Sequence, residues 1–156
     1  MNNIGKEDKM FYAAEAFVLL VLWVVAFTQF MKSPETIATH FTFSGEPDRM
    51  GPRTVILLIA LIGTAVATAL EFMALKSPAN AANIPGIDVA KKRSPKAVVY
   101  ARRLCHVLAL LLLLMMISVV CLLSGVAPYG ITPTLGIVFL TFIAIGYYGF
   151  RIARLG

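Results

Sequence analysis

Ser33-Pro34-Glu35-Thr36-Ile37-Ala38-Thr39-His40-Phe41-Thr42-Phe43-Ser44-Gly45-Glu46-Pro47-Asp48-Arg49-Met50-Gly51-Pro52-Arg53 is a polar, turn-forming passage between two long apolar runs. It holds one of the two histidines, three of the eight acids and three of the eight prolines. Gly45, Pro47, Gly51 and Pro52 argue against regular helix through residues 45–52. Residues 37–43 alternate weakly in polarity and suit an extended chain. The charges around the passage cancel: Lys32, Arg49 and Arg53 against Glu35, Glu46 and Asp48.

Working outward, residues 11–31 are apolar, and Pro34 discourages helix beyond them. Residues 54–75 form a second apolar run, residues 104–123 a leucine-rich third and residues 132–150 a fourth. A spanning helix needs about 20 apolar residues. The expected fold is therefore an all-α integral membrane bundle of four transmembrane helices, a single domain over residues 1–156. The spans are 11–31, 54–75, 104–123 and 132–150, the signature loop is 32–53, and a basic connector covers 76–103. From Ser94 that connector suits an amphipathic lead-in helix with Pro95 in its first turn. Gly63 with Ala67, and Thr64 with Thr68, place small residues four apart, the spacing that lets membrane helices approach closely.

Composition agrees. The 156 residues are 59% hydrophobic and 14% charged, against about 25% charged in soluble domains. The net charge of +6 points to anionic lipid rather than nucleic acid, because the basic residues cluster at helix ends. With both termini inside, 11 basic residues are cytoplasmic and only Lys32, Arg49 and Arg53 lie outside. The expectation is a multi-pass protein of the cell membrane, N-in and C-in, with the signature passage as an ordered outer loop between helices 1 and 2. Tyr147 and Tyr148 suit an inner interfacial belt, and Tyr129 an outer one. The first span lacks a small-residue cleavage site and is long for a signal sequence, so it is expected to be retained as an anchor. Cys105 and Cys121 lie 16 residues apart in one run, about 24 Å along a helix, so they cannot bridge each other.

Two groups of residues can carry chemistry. In the outer loop, His40, Glu46 and Asp48 with Arg49 and Arg53 form a candidate ligand-binding set, and Pro34, Gly45, Pro47 and Gly51 set its turns. The alternative is that Glu46 and Asp48 cap turns and pair with Arg49 or Arg53 while His40 holds the backbone. On the inner side, Glu15, Glu71 and His106 each fall about one turn from the cytoplasmic face, with Arg102 and Arg103 just below. Ionisable groups at membrane depth should face one another or water, so this cluster is either an ion site or a set of packing pairs with the arginines. There is no phosphate loop, H-E-x-x-H, G-x-S-x-G or C-x-x-C motif. The expectation is a non-enzymatic protein with no cofactor and no assigned metal.

The loop resembles the signature of a bacterial membrane-protein family known as domain of unknown function 1648. That domain also forms the N-terminal part of the SdpI-type immunity proteins. The matching positions are Pro34, Ile37, His40, Phe41, Gly45, Pro47, Asp48 and Gly51, within residues 10–75. Ala38, Thr42 and Arg53 stand where the family pattern has proline, asparagine and lysine. The resemblance implies membrane location and a four-helix unit, and suggests an immunity protein that binds or senses an extracytoplasmic peptide through the loop. The alternative function is a small transporter or a proton or cation channel component using Glu15, Glu71 and His106. Four spans are few for a transporter, so that reading calls for a homo-oligomer.

Overall fold

The structure is a computed structural model that describes residues 6–42, 44–76, 94–127 and 130–155. Four helices run over Lys6–Lys32 (α1), Val55–Lys76 (α2), Pro95–Leu123 (α3) and Thr132–Ala153 (α4), with strands Thr36–Phe41 (β1) and Pro47–Pro52 (β2) between α1 and α2. All four helices are long and apolar enough to cross a membrane. The structure is therefore mostly helical, and one expectation is corrected: the passage between α1 and α2 is a β-hairpin, so the chain is not purely α. Much of the basic connector, with Lys91, Lys92 and Arg93, lies outside the described residues, as does Tyr129.

α3 is the hub. It packs against α2 most extensively, and then against α1 and α4. Its 29 residues make a rod about 43 Å long, more than the roughly 30 Å of a hydrocarbon core. The lead-in segment and the third span are one continuous helix. Ser94 is its N-cap, with an extended backbone and an Oγ that accepts from the Ala97 amide at 3.2 Å, and proline follows in the first turn. That pattern meets one orphan donor and wastes none on the proline.

The core is a stripe of small and branched residues. Leu22 and Ala26 of α1, Ile56, Ala60 and Ala67 of α2, and Ala109, Leu113 and Val120 of α3 are buried together. On α2 the buried positions Ile56, Ala60, Gly63, Ala67 and Ala74 recur every three, four or seven residues, which is one face of a helix. Trp23 Nε1 donates to Thr64 Oγ1 at 3.1 Å and ties α1 to α2. α4 is the bare helix: only Ile152 is buried, and Leu135, Phe139, Phe142 and Ile143 are exposed. A helix apolar all round is at home in acyl chains.

The hairpin sits where its sequence breaks helix. Thr36 faces Pro52, Ile37 faces Gly51 and Ala38 faces Met50; the register then slips, so that His40 faces Arg49 and Phe41 faces Pro47. Gly45 takes φ +86° at the turn, where a Cβ is unfavourable. The Thr42 amide donates to the Glu46 carbonyl at 2.8 Å, and the Glu46 amide donates back to Thr42 Oγ1 at 3.2 Å. Thr42, one of the departures from the family pattern, thus still holds the turn with its side chain. Ile37 is buried and anchors the hairpin to the bundle, with Phe41 packed on the same core.

Candidate functional site

The hairpin residues close on themselves. His40 Nδ1 lies 2.6 Å from Asp48 Oδ1 across the strands, and both side chains are largely exposed. The ion pair expected between Asp48 and Arg49 or Arg53 is replaced by this one. It lies at the register slip around His40, whose strand partner is Arg49. Arg53 instead staples the hairpin base: its amide donates to the Glu35 carbonyl at 2.9 Å and its Nη1 to the Ser33 carbonyl at 3.0 Å. Its guanidinium lies 4.9 Å from the centre of the Phe30 ring. Thr39 Oγ1 donates to the Arg49 carbonyl at 3.4 Å. The Glu46 and Arg49 side chains are exposed. Pro34 follows the end of α1 as part of the connection into β1, Pro47 opens β2, and Gly51 packs against Thr39, whose Cγ2 would lie 2.8 Å from an added Cβ. His40 and Asp48 come together; Glu46, Arg49 and Arg53 do not converge with them on a common point.

The second group does converge. Glu15 of α1, Glu71 of α2 and His106 of α3 meet inside the bundle near the end where α1 begins and α4 finishes. His106 is fully buried, and its Nδ1 lies 3.1 Å from Glu15 Oε1 and 3.0 Å from Glu71 Oε1. Glu15 is only 7% exposed. Phe11 stacks on the imidazole at 5.0 Å between centroids, and Tyr12 meets it edge-on at 5.1 Å. These rings fix the imidazole plane and leave Nδ1 as its polar contact. Among the described residues, His106 Nε2, Glu71 Oε2 and the Tyr12 hydroxyl are buried without hydrogen-bond partners.

Of the two alternatives, the packing pairs between these acids and the arginines are not the contacts that form. Arg102 Nη1 donates to Asp8 Oδ2 at 3.0 Å, and Arg103 Nη2 is paired with Glu7 Oε2. Helix geometry explains the exchange. α1 and α3 both enter the bundle at this end, so acids in the first turn of α1 meet arginines early in α3. Glu15, seven residues beyond Asp8, stands about 10 Å further in. A layer of ion pairs therefore lies below the carboxylate–imidazole set and does not neutralise it directly.

A cavity of about 200 Å³ opens beside the set, lined among others by Tyr12, Glu15, Thr64, Thr68 and Glu71. From Glu71 to Thr64 it reaches about 10 Å further into the bundle. Phe11 also lines a larger groove of about 430 Å³, with Glu7, Arg103 and Tyr148. At the same end, Arg151 Nη2 donates to the Tyr100 hydroxyl at 2.5 Å, and Tyr148 lies 5.2 Å from Tyr147 and 6.5 Å from Tyr100 between centroids. Both cysteines are free thiols.

Sequence reasoning did not single out Phe11, Tyr12 and Asp8. The signal was present: Tyr12 and Phe11 precede Glu15 by three and four residues and Asp8 by seven, all positions on one helix face.

Four long apolar helices, three of which bring an ionisable set together inside the bundle, define a multi-pass membrane protein. Within it, residues 17–64 match the family described as domain of unknown function (DUF1648), which places the family signature on α1, the hairpin and the first half of α2. The chain is also similar to an uncharacterized protein of Archaeoglobus fulgidus, 26% identical over 105 residues. That alignment covers 62% of this chain and 57% of the relative, so the chain spans little more than half the relative's length. No solved structure matches the chain.

Proposed function

We propose that this is a non-enzymatic membrane protein that takes up a cation at Glu15, Glu71 and His106, as a small transporter or channel component, with both termini in the cytoplasm. One observation carries the reading: a fully buried imidazole held 3.1 and 3.0 Å from two carboxylates on two other helices, beside a cavity. Burying ionisable groups in a bilayer is costly, and where it occurs it usually marks an ion pathway. The nearby arginines are engaged elsewhere, which leaves the two carboxylates with His106 as the one basic group hydrogen-bonded to them among the described residues. Four helices provide one face of a pathway, and a second copy would complete it.

The test is flux into liposomes loaded with pH-sensitive and cation-sensitive dyes. Protein-dependent flux is expected, and Glu71→Gln should reduce it at least tenfold, since the amide keeps the shape and loses the charge. Equal flux in both forms, or none in either, would remove this reading.

A second reading rests on the hairpin. β2 is exposed along almost its whole length, and among the described residues the two-stranded sheet has a free edge there. An extended peptide can add to such an edge, in keeping with the SdpI-type expectation of peptide immunity or sensing from outside the cell. Here His40→Ala and Asp48→Ala should abolish protection in a toxin challenge while membrane insertion stays intact. An exposed ion pair contributes only about 0–1 kcal/mol, so these variants fold. Full protection in both would retire the peptide reading.

A further inference from the structure

We propose that the cation held by Glu15, Glu71 and His106 is a first-row divalent transition-metal ion, bound by His106 Nδ1 and one oxygen from each carboxylate. The inference rests on the cation-handling reading above and names its ligand class.

Three observations support it. The first is distance. A metal with bonds of about 2.0–2.2 Å separates neighbouring donor atoms by about 3.0–3.5 Å. Nδ1 stands 3.1 and 3.0 Å from the two Oε1 atoms, and the three donors lie within 4.8 Å of one another.

The second is charge. Two carboxylates, which bring two negative charges when ionised, share a bundle interior where Arg102 and Arg103 are paired with Asp8 and Glu7. A divalent ion cancels both at once. It also uses the donor capacity left idle, since Glu71 Oε2 is buried without a partner and can make that carboxylate bidentate. The Tyr12 hydroxyl, likewise buried without a partner and lining the same cavity, is placed to receive a hydrogen bond from a water on the ion.

The third is ligand type. One imidazole nitrogen with two carboxylates suits zinc, manganese or iron. Calcium and magnesium prefer all-oxygen sites and accept a nitrogen donor poorly. The cavity of about 200 Å³ leaves room for water in the remaining coordination positions, the arrangement of an exchangeable site rather than a closed structural one.

The experiment uses the full chain, purified in detergent and stripped with chelator, titrated with zinc by calorimetry and with cobalt by visible absorption. One zinc per chain is expected, with cobalt bands that zinc displaces. Glu15→Gln and Glu71→Gln should each weaken zinc binding at least tenfold, and Cys121→Ala should leave the stoichiometry at one. Helical circular dichroism and a single size-exclusion peak establish that the variants are folded. Should one of them unfold, the wild-type cobalt spectrum decides, and absence of ligand-field bands overturns the proposal. Zinc affinity unchanged in folded Glu71→Gln overturns it too, as does loss of binding in Cys121→Ala, which would assign the metal to a thiol. Liposome flux without stoichiometric metal overturns this inference and leaves the proton or monovalent reading standing. Stoichiometric metal without flux supports it and removes transport.

Discussion

His106→Leu is expected to destabilise the purified protein by about 3–5 kcal/mol, the cost of breaking a buried ionic set by removing one partner. The imidazole is the group hydrogen-bonded to both Glu15 Oε1 and Glu71 Oε1. Without it, two carboxylates on neighbouring helices face each other inside the bundle, and Glu71 Oε2 has no described partner to begin with. At about 2–4 °C per kcal/mol for a chain of this size, the midpoint of thermal unfolding in detergent should fall by on the order of 10 °C. The companion measurement is the triple variant Glu15→Met, Glu71→Met, His106→Leu. Replacing a whole buried ionic set by apolar residues of similar volume is often neutral or stabilising, so most of the lost stability should return. A single variant that loses less than about 1 kcal/mol, the size of an exposed pair, would mean that the three groups do not depend on one another. A triple variant no better than the single would mean that Leu at position 106 clashes sterically, and the ionic account would then fail.

The second large effect is expected at Gly63, where α2 crosses α3. A Cβ added there would lie 2.6 Å from Met116 Cγ and 3.3 Å from Met116 Cβ. The first distance is too short for a real contact and the second is tight, so the helices must separate or Met116 must repack. Overpacking of this kind costs about 1–3 kcal/mol, and Gly63→Leu should lie at or above the upper end. α2 and α3 form the most extensive interface in the bundle, so the loss should appear as a lower unfolding midpoint and not as local fraying. Gly63→Ala combined with Met116→Ala should be more stable than the sum of the two single losses, because residues in contact do not add. Strict additivity would show that the close approach is absent in the bilayer.

The residues that were legible in the sequence were those whose role is set locally. Gly45 and Pro47 broke the helix, and the chain turns there. Pro95 behind Ser94 announced a helix start, and α3 begins at Pro95. Small residues at positions 63 and 67 announced a close helix contact, and both are buried on α2. The joining of residues 36–41 and 47–52 into a β-hairpin was less legible, because a short alternating run of mixed polarity suits a strand or an irregular loop equally well. The ion pair of Asp48 with His40, rather than with Arg49 or Arg53, forms where the strand register slips at His40. That slip is a property of two strands together and leaves no mark in either alone.

The sequence by itself determined that this chain has four membrane-length helices, a break between the first two, and three ionisable residues at membrane depth. Each of these depends on a run of residues measured against a fixed length, whether the hydrocarbon thickness or the rise of a helix turn. Only the tertiary structure decided who meets whom. Glu15, Glu71 and His106 come from three helices, and whether they face one another depends on the rotation of each helix about its own axis and on the depth at which it packs. Those two quantities are set by packing between helices, where Ala60, Gly63 and Ala67 are buried on α2. The same packing gave Arg102 and Arg103 to Asp8 and Glu7, and the imidazole to the two carboxylates.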